Sequence, residues 1–265
     1  MIAFILFSLV LQTLASSPIL GRDADQNEYP FIVGVESCDF PVCYPQCAGV
    51  VLSKNWILTL GGCAYGASTY NNFRINAGVV NVTSPAAQLR EIETAVLHPE
   101  FDYFQPFSPN NIGLLKLKTP LDLGDSVQPG VLPKQGSDVP LGKVTQLGWF
   151  VNKDSHDRPV SVENLETAET GMIDYDVCMA IVEPSMEYKF PDFAQTLFCT
   201  GDFTGREDLC FINAGSPTIQ DGVVVGFHYF TTLGCGVMGS AILSLKTGPY
   251  VSWIQENIDD NIRLA

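Results

Sequence analysis

The side chains able to do chemistry are sparse in this sequence. Three histidines, His98, His156 and His228, are scattered along it, and eight cysteines follow residue 37: Cys38, Cys43, Cys47, Cys63, Cys178, Cys199, Cys210 and Cys235. A zinc site would need paired Cys-x-x-Cys knuckles or grouped histidines, and neither pattern occurs. No metal and no cofactor is expected. An even cysteine count in an oxidising compartment indicates instead a disulfide framework, whose pairing the count leaves open. His228 lies in the apolar run Gly226–Phe230 and is expected to be a hydrogen-bonded strand residue rather than a base. His156 falls in the polar loop Lys153–Arg158. Asn81-Val82-Thr83 is the sole N-x-[ST] sequon, which makes Asn81 the candidate glycosylation site.

The oxidising compartment is implied by the start of the chain. Ile2 to Leu14 is a short apolar run closing on Ala15, Ser16 and Ser17, the pattern of a signal peptide over residues 1–17, although only the α-amine supplies charge before it. A membrane anchor is the rival, but spanning takes about 20 apolar residues and no later segment supplies them. The protein is therefore expected to be secreted and extracellular. Its 14 basic and 29 acidic residues give a net charge of −15. That argues against nucleic acid, whose phosphates need Lys and Arg, and no basic amphipathic stretch suits a membrane surface. With 46% apolar and 16% charged residues, the 265-residue chain is no disordered polymer, and its length allows one large domain or two small ones.

The elements that must position these groups are short strands. Runs rich in β-branched and aromatic residues span Phe31–Val35, Gly49–Ser53, Trp56–Leu60, Phe73–Val80 and Ile112–Lys118. They resume with Lys143–Phe150, Glu166–Ile173, Thr196–Thr200, Ser216–Gln220, Val223–Phe230 and Ala241–Ser244. Lys54-Asn55 and Asp221-Gly222 are expected to be hairpin turns. Such a series predicts a sandwich or barrel. Only Tyr250–Ile262 has apolar spacing suited to a helix. No internal repeat is visible, and Leu132–Gly142, punctuated by Pro and Gly, is the best boundary between two halves.

Ordered segments of the chain resemble the trypsin/chymotrypsin-like serine proteases (peptidase S1). Ile19-Leu20-Gly21-Arg22 is similar to that family's IVGG start, with Tyr29-Pro30-Phe31 at the matching distance. Cys47, then Trp56-Ile57-Leu58-Thr59-Leu60-Gly61-Gly62-Cys63, resembles C-G-G-x-L…W-x-L-T-A-A-H-C. Val96-Leu97-His98-Pro99 resembles V-x-H-P, and Asn110-Asn111-Ile112-Gly113-Leu114-Leu115 resembles N-D-I-A-L-L. Asp208 to Pro217 sits where the family has D-x-C-x-G-D-S-G-G-P, and Tyr250-Val251-Ser252-Trp253-Ile254 matches its closing helix. The resemblance implies an all-β fold of two antiparallel six-stranded β-barrels with a C-terminal α-helix. The trypsin-like domain would span residues 18–265, with an N-terminal barrel at about 19–131 and the C-terminal barrel and helix at about 132–265. It also implies the pairs Cys47–Cys63, Cys178–Cys199 and Cys210–Cys235, leaving Cys38 and Cys43 to pair by parity.

The family's mechanism uses a serine nucleophile, a histidine base and a buried aspartate that orients the histidine. The matching positions here are Ala214, Gly62 and Asn111. A methyl group cannot form an acyl-enzyme, glycine cannot accept a proton, and an amide cannot stabilise an imidazolium. In a serine protease of another fold, loss of the serine or histidine alone costs about 10⁶ in turnover. The oxyanion-hole glycine position is Ile212, the aspartate that pairs with the freed amino terminus is Asn213, and Ser16-Ser17-Pro18 offers no basic cleavage site before Ile19. Asp208 matches the aspartate at the base of the specificity pocket and would pair with a substrate Lys or Arg. A locally hydrogen-bonded aspartate is the plainer alternative, since Thr231 and Ser240 stand where glycines flank that pocket.

The expectation is a catalytically inactive, insect-type serine protease homologue that binds a protein partner, a protease or a protease substrate being the kinds anticipated. The alternatives are a divergent active endopeptidase and a secretory structural protein without a specific partner.

Overall fold

The β-branched runs do form strands, and the strands close on themselves twice. The computed structural model describes residues 21–39, 42–70, 72–105, 107–149, 151–153, 159–161, 163–182, 193–201, 213–232 and 240–265. The first barrel comprises β1 (Ile32–Asp39), β2 (Val42–Val51), β3 (Trp56–Thr59), β4 (Phe73–Ala77), β5 (Gln88–Leu97) and β6 (Gly113–Leu117). They close in the order β1-β2-β3-β6-β5-β4. The second comprises β7 (Lys143–Gly148), β8 (Glu166–Ile173), β9 (Leu197–Thr200), β10 (Pro217–Gln220), β11 (Val223–Thr231) and β12 (Ile242–Lys246). Its strands run β7-β8-β9-β12-β11-β10, closed by β10 against β7. The two halves thus share one strand order although no sequence repeat announces it. All pairings within both barrels are antiparallel, as the resemblance implied.

Burial explains why these segments are so apolar. Val33, Val35, Val50, Ile57, Leu58, Ile75, Leu114 and Leu115 are fully enclosed in the first barrel. Asp221 and Gly222 both have positive φ, 49° and 79°, which matches the two-residue hairpin turn expected there. The other turn is longer than Lys54-Asn55. The Leu52 amide bonds the Trp56 carbonyl, and Ser53 Oγ accepts from the Asn55 and Trp56 amides, at 3.1 and 3.2 Å.

Four elements in the body of the fold differ from the sequence expectation. Strand β5 is marked in the sequence only at its Val96-Leu97 end; the preceding residues carry Arg90, Glu91 and Glu93, and Lys118 pairs with the exposed Glu91 at 2.6 Å. Helix α1 (Gly61–Thr69) contains Gly61, Gly62, Gly66, Ser68 and Thr69, residues of poor helix propensity. Packing compensates, for α1 lies directly on β6: a Cβ added at Gly113 would lie 2.5 Å from the Ala64 Cβ. Helix α2 (Tyr175–Val182) is capped by Asp174, whose Oδ1 accepts from the Asp176 amide at 3.0 Å. A short turn of helix, α3 (Phe193–Thr196), precedes β9 and takes in Thr196, which was expected to be strand.

The C-terminal helix, α4, is confined to Val251–Asn257 rather than running to Ile262. Beyond it the chain turns back to the first barrel. Asp259 accepts from Trp56 Nε1 at 2.7 Å, and Asp260 accepts from Ser53 Oγ and Asn55 Nδ2 at 2.6 and 2.9 Å. Arg263–Leu264 then pairs in parallel with Val131–Leu132. Carboxylate bonds to the first barrel therefore outcompete continuation of the helix. Disulfides join Cys38 to Cys43, Cys47 to Cys63 and Cys178 to Cys199; Cys210 and Cys235 lie outside the described residues.

Candidate functional site

The seam between the barrels collects the residues singled out from the sequence. Gly62 lies in the first turn of α1, Asn111 just before β6, and Ala214 just before β10. Asn111 is buried, and its Oδ1 accepts from the Gly62 amide at 2.8 Å. That bond does a structural job. Leu60, the residue capping α1, has no side-chain acceptor, so Asn111 supplies the partner for a helix-start N–H that would otherwise lack one. Asn110 adopts φ 55°, tolerable for asparagine, and its Oδ1 accepts from the Tyr250 hydroxyl at 3.0 Å. The Tyr229 phenol, pushed up to about 12 by burial, lies against the Asn111 amide and donates to the Ser108 carbonyl at 3.3 Å.

Ala214 is brought to the same seam from the other barrel. It forms an isolated parallel bridge with Cys47, and its carbonyl accepts from the Ala48 amide at 2.9 Å. Residues Asn213 to Ser216 make a tight turn closed by a 3.0 Å bond from the Ser216 amide to the Asn213 carbonyl. Gly215 has φ +79° there, and any Cβ would overlap the Ala48 carbonyl and Thr59 Oγ1. The Asn213 side chain bridges the barrels: Nδ2 donates to the Pro45 carbonyl at 2.8 Å, and Oδ1 accepts from the Trp149 amide at 3.0 Å.

Among the described residues, the histidines and Ser216 are buried or engaged away from a reactive pairing at Ala214. His228 is a strand residue, 6% exposed, whose pKa burial alone pushes down to about 4. Its Nδ1 has no hydrogen-bond partner, and neither does Oγ of Ser216, which lies just before the paired strand β10. Ser216 is 1% exposed. His98 Nδ1 accepts from the Glu100 amide, and its ring packs against Tyr250 and Trp253. Ser240 is buried, its Oγ donating to the Thr232 carbonyl at 2.9 Å. Ile212, Asp208 and His156 lie outside the described residues, as does the segment expected to be a signal peptide. Asn81 sits on the barrel–barrel contact, where Nδ2 donates to Asn164 at 3.0 Å and Oδ1 accepts from Thr83. Glu36, Cys38 and Cys43 cluster closely, but the sulfurs are joined in a disulfide and the carboxylate is taken by Arg74 and Asn76.

Beside Gly62 the first barrel carries a cavity of about 230 Å³, lined by Gln46, Gly62, the Cys47–Cys63 disulfide, Tyr70, Asn72 and Tyr103 among others. Sequence reasoning missed Tyr70, Asn72 and Tyr103. No motif marks them, and they converge only through the β4 edge and the loop before β6.

The chain is similar to known proteins over almost its whole length. The family model described as Trypsin matches residues 18–254. A trypsin from Phaedon cochleariae is 26% identical over 242 residues, covering 90% of this chain and 87% of its own length. Kallikrein 1-related peptidase b5 from Mus musculus is 28% identical over 256 residues, covering 91% and 89% respectively. Among solved structures, neuropsin, a serine protease expressed in the limbic system of mouse brain, superposes with a TM-score of 0.74 at 21% identity, over 90% of this chain and 99% of its own. The profile match, the two closed barrels and the seam between them place this chain in the trypsin-like serine protease family.

Proposed function

We propose that the protein is a secreted, non-catalytic member of this family that binds another protein through the seam between its barrels. The observation that carries this reading is the identity of three side chains. Gly62, Asn111 and Ala214 occupy the family's base, orienting and nucleophile positions, and none can perform those steps. Asn213 supports it as well. The family's aspartate there pairs with a freed amino terminus, whereas this carboxamide is neutral and its two polar atoms are engaged by Pro45 and Trp149. Secretion is supported by the apolar segment Ile2–Leu14 and by three disulfides.

A divergent endopeptidase is the reading to test against it, because the His228 amide donates to the Ser216 carbonyl at 2.7 Å and the two side chains leave Oγ and Nδ1 unpartnered. Burial of both leaves a peptide carbonyl no approach within hydrogen-bond reach. The deciding experiment treats the oxidised protein with a fluorophosphonate probe and a panel of peptide substrates, before and after limited tryptic cleavage. No labelling and no turnover is the expected result. Covalent labelling at any serine, or turnover abolished by Ser216→Ala, overturns the reading.

A further inference from the structure

The second barrel differs from the first in what it encloses. Side chains alternate between the two faces of a strand, so the pairings decide which residues share a face. Gln146 of β7 lies opposite Ala168 of β8 and Thr218 of β10, Thr200 of β9 opposite Met172 of β8, and His228 of β11 opposite Ser244 of β12. Steps of two along each strand then place Gln146, Thr170, Thr200, Ser244, His228 and Thr218 on one face, a polar residue from each of the six strands. That face is the inner one. Gln146 Nε2 donates to Thr200 Oγ1 at 2.7 Å across the intervening β8, and the Thr218 and Ser244 hydroxyls meet at 3.4 Å across β11. Strands two apart are separated by about 9–10 Å, a gap that side chains close only on the concave side of a sheet. All six residues are buried, His228 being the most exposed at 6%. The strand residues fully enclosed in the first barrel are instead mostly valine, isoleucine and leucine.

Within this ring Gln146 Oε1 and Thr170 Oγ1 both lack a hydrogen-bond partner, as does His228 Nδ1 on the far wall. The first two are neighbours. The Gln146 side chain starts level with Ala168 and ends at Thr200, level with Met172, so it passes Thr170. Turning the amide over would only exchange its ends and leave the nitrogen bare in place of the oxygen. We infer that an ordered water molecule is bound inside the second barrel between Gln146 and Thr170. Buried polar atoms without partners are costly, and a buried water bridges such groups. Here it donates to Gln146 Oε1 and shares a hydrogen bond with the Thr170 hydroxyl, which can donate or accept. A neutral guest fits, because the ring holds no carboxylate to balance a cation. The water ties β7 to β8 from within the barrel, and the assignment is independent of the protein-binding reading of the seam.

The first measurement is a high-resolution crystal structure of the oxidised protein. Density for a water within about 2.6–3.2 Å of both Gln146 Oε1 and Thr170 Oγ1 is expected. The second is NMR in solution with methyl-labelled threonine. A water that tumbles with the protein gives the Thr170 and Thr200 methyl groups NOE and ROE cross-peaks of opposite sign. Thr170→Ser keeps the hydroxyl and should retain the Thr200 cross-peak. Thr170→Val has nearly the same shape without the hydroxyl and should abolish it. No density at that position, a metal ion there, or a direct bond between Gln146 and Thr170 each overturn the inference. So does a Thr200 cross-peak that survives in Thr170→Val, which would report exchange of the Thr200 hydroxyl itself. Should a variant fail to fold, the crystal structure of the unaltered chain still decides.

Discussion

Lowering the pH from 7 to 5 is expected to destabilise the protein through His228. Burial holds this imidazole neutral in the folded state down to about pH 4, whereas an unfolded chain protonates it near its ordinary value of about 6.5. Between those values the unfolded state binds the extra proton. The contribution to stability is therefore complete above about pH 6.5 and is lost as pH falls toward about 4. The loss between pH 7 and pH 5 comes to about 2 kcal/mol, or about 4–8 °C in melting temperature for a chain of this size. His98 is shifted downward by burial as well, with Glu100 opposing, so wild type alone would mix two effects. The comparison with His228→Leu isolates one. Nδ1 has no partner to lose, and leucine restores an apolar side chain of similar volume. Thermal melts at pH 7, 6 and 5, read by near-ultraviolet circular dichroism, should show a flatter pH profile for the variant. A resonance assigned to His228 by its loss in His228→Leu and titrating near 6.5 in the folded protein, or identical profiles for the two proteins, would refute the reasoning.

Three further outcomes follow from the seam. Gly62→Ala should stabilise the protein by about 0.5–1 kcal/mol, because the site has room for a Cβ and helix α1 gains propensity; a lower melting temperature would contradict this. Asn111→Ala should cost about 1 kcal/mol in urea denaturation by removing the cap on α1, while Asn111→Asp should be neutral or better. The triple revertant Gly62→His, Asn111→Asp, Ala214→Ser should still fail to hydrolyse peptide substrates, since Ile212 and Asn213 stay in place. Measurable turnover would show that the three positions were the whole deficit.

The legible parts of the structure are those where side-chain type and backbone demand coincide. Asp221-Gly222 specifies its hairpin because both residues tolerate positive φ, and the β-branched runs mark most of both barrels. Asp174 is a local capping signal for α2. Strand β5 was obscured by charges that face outward into ion pairs, and α1 by glycines whose helix is dictated by packing on β6. At the seam, the residues at 62, 111 and 214 were found by their place in ordered motifs. Their actual tasks, capping a helix and bridging barrels, are tertiary facts with no local signature. Tyr70 and Asn72 lie about thirty residues from Tyr103 along the chain, so only the fold brings them together.

The strand order common to both barrels separates two demands on the sequence. Each half completes its hydrogen-bonded cylinder with its own strands, and Gly62, Asn111 and Ala214 stand outside them, in a helical turn and two connections. Chemistry and architecture are therefore held by different residues. Substitution at these three positions leaves the strand pairing of both cylinders intact.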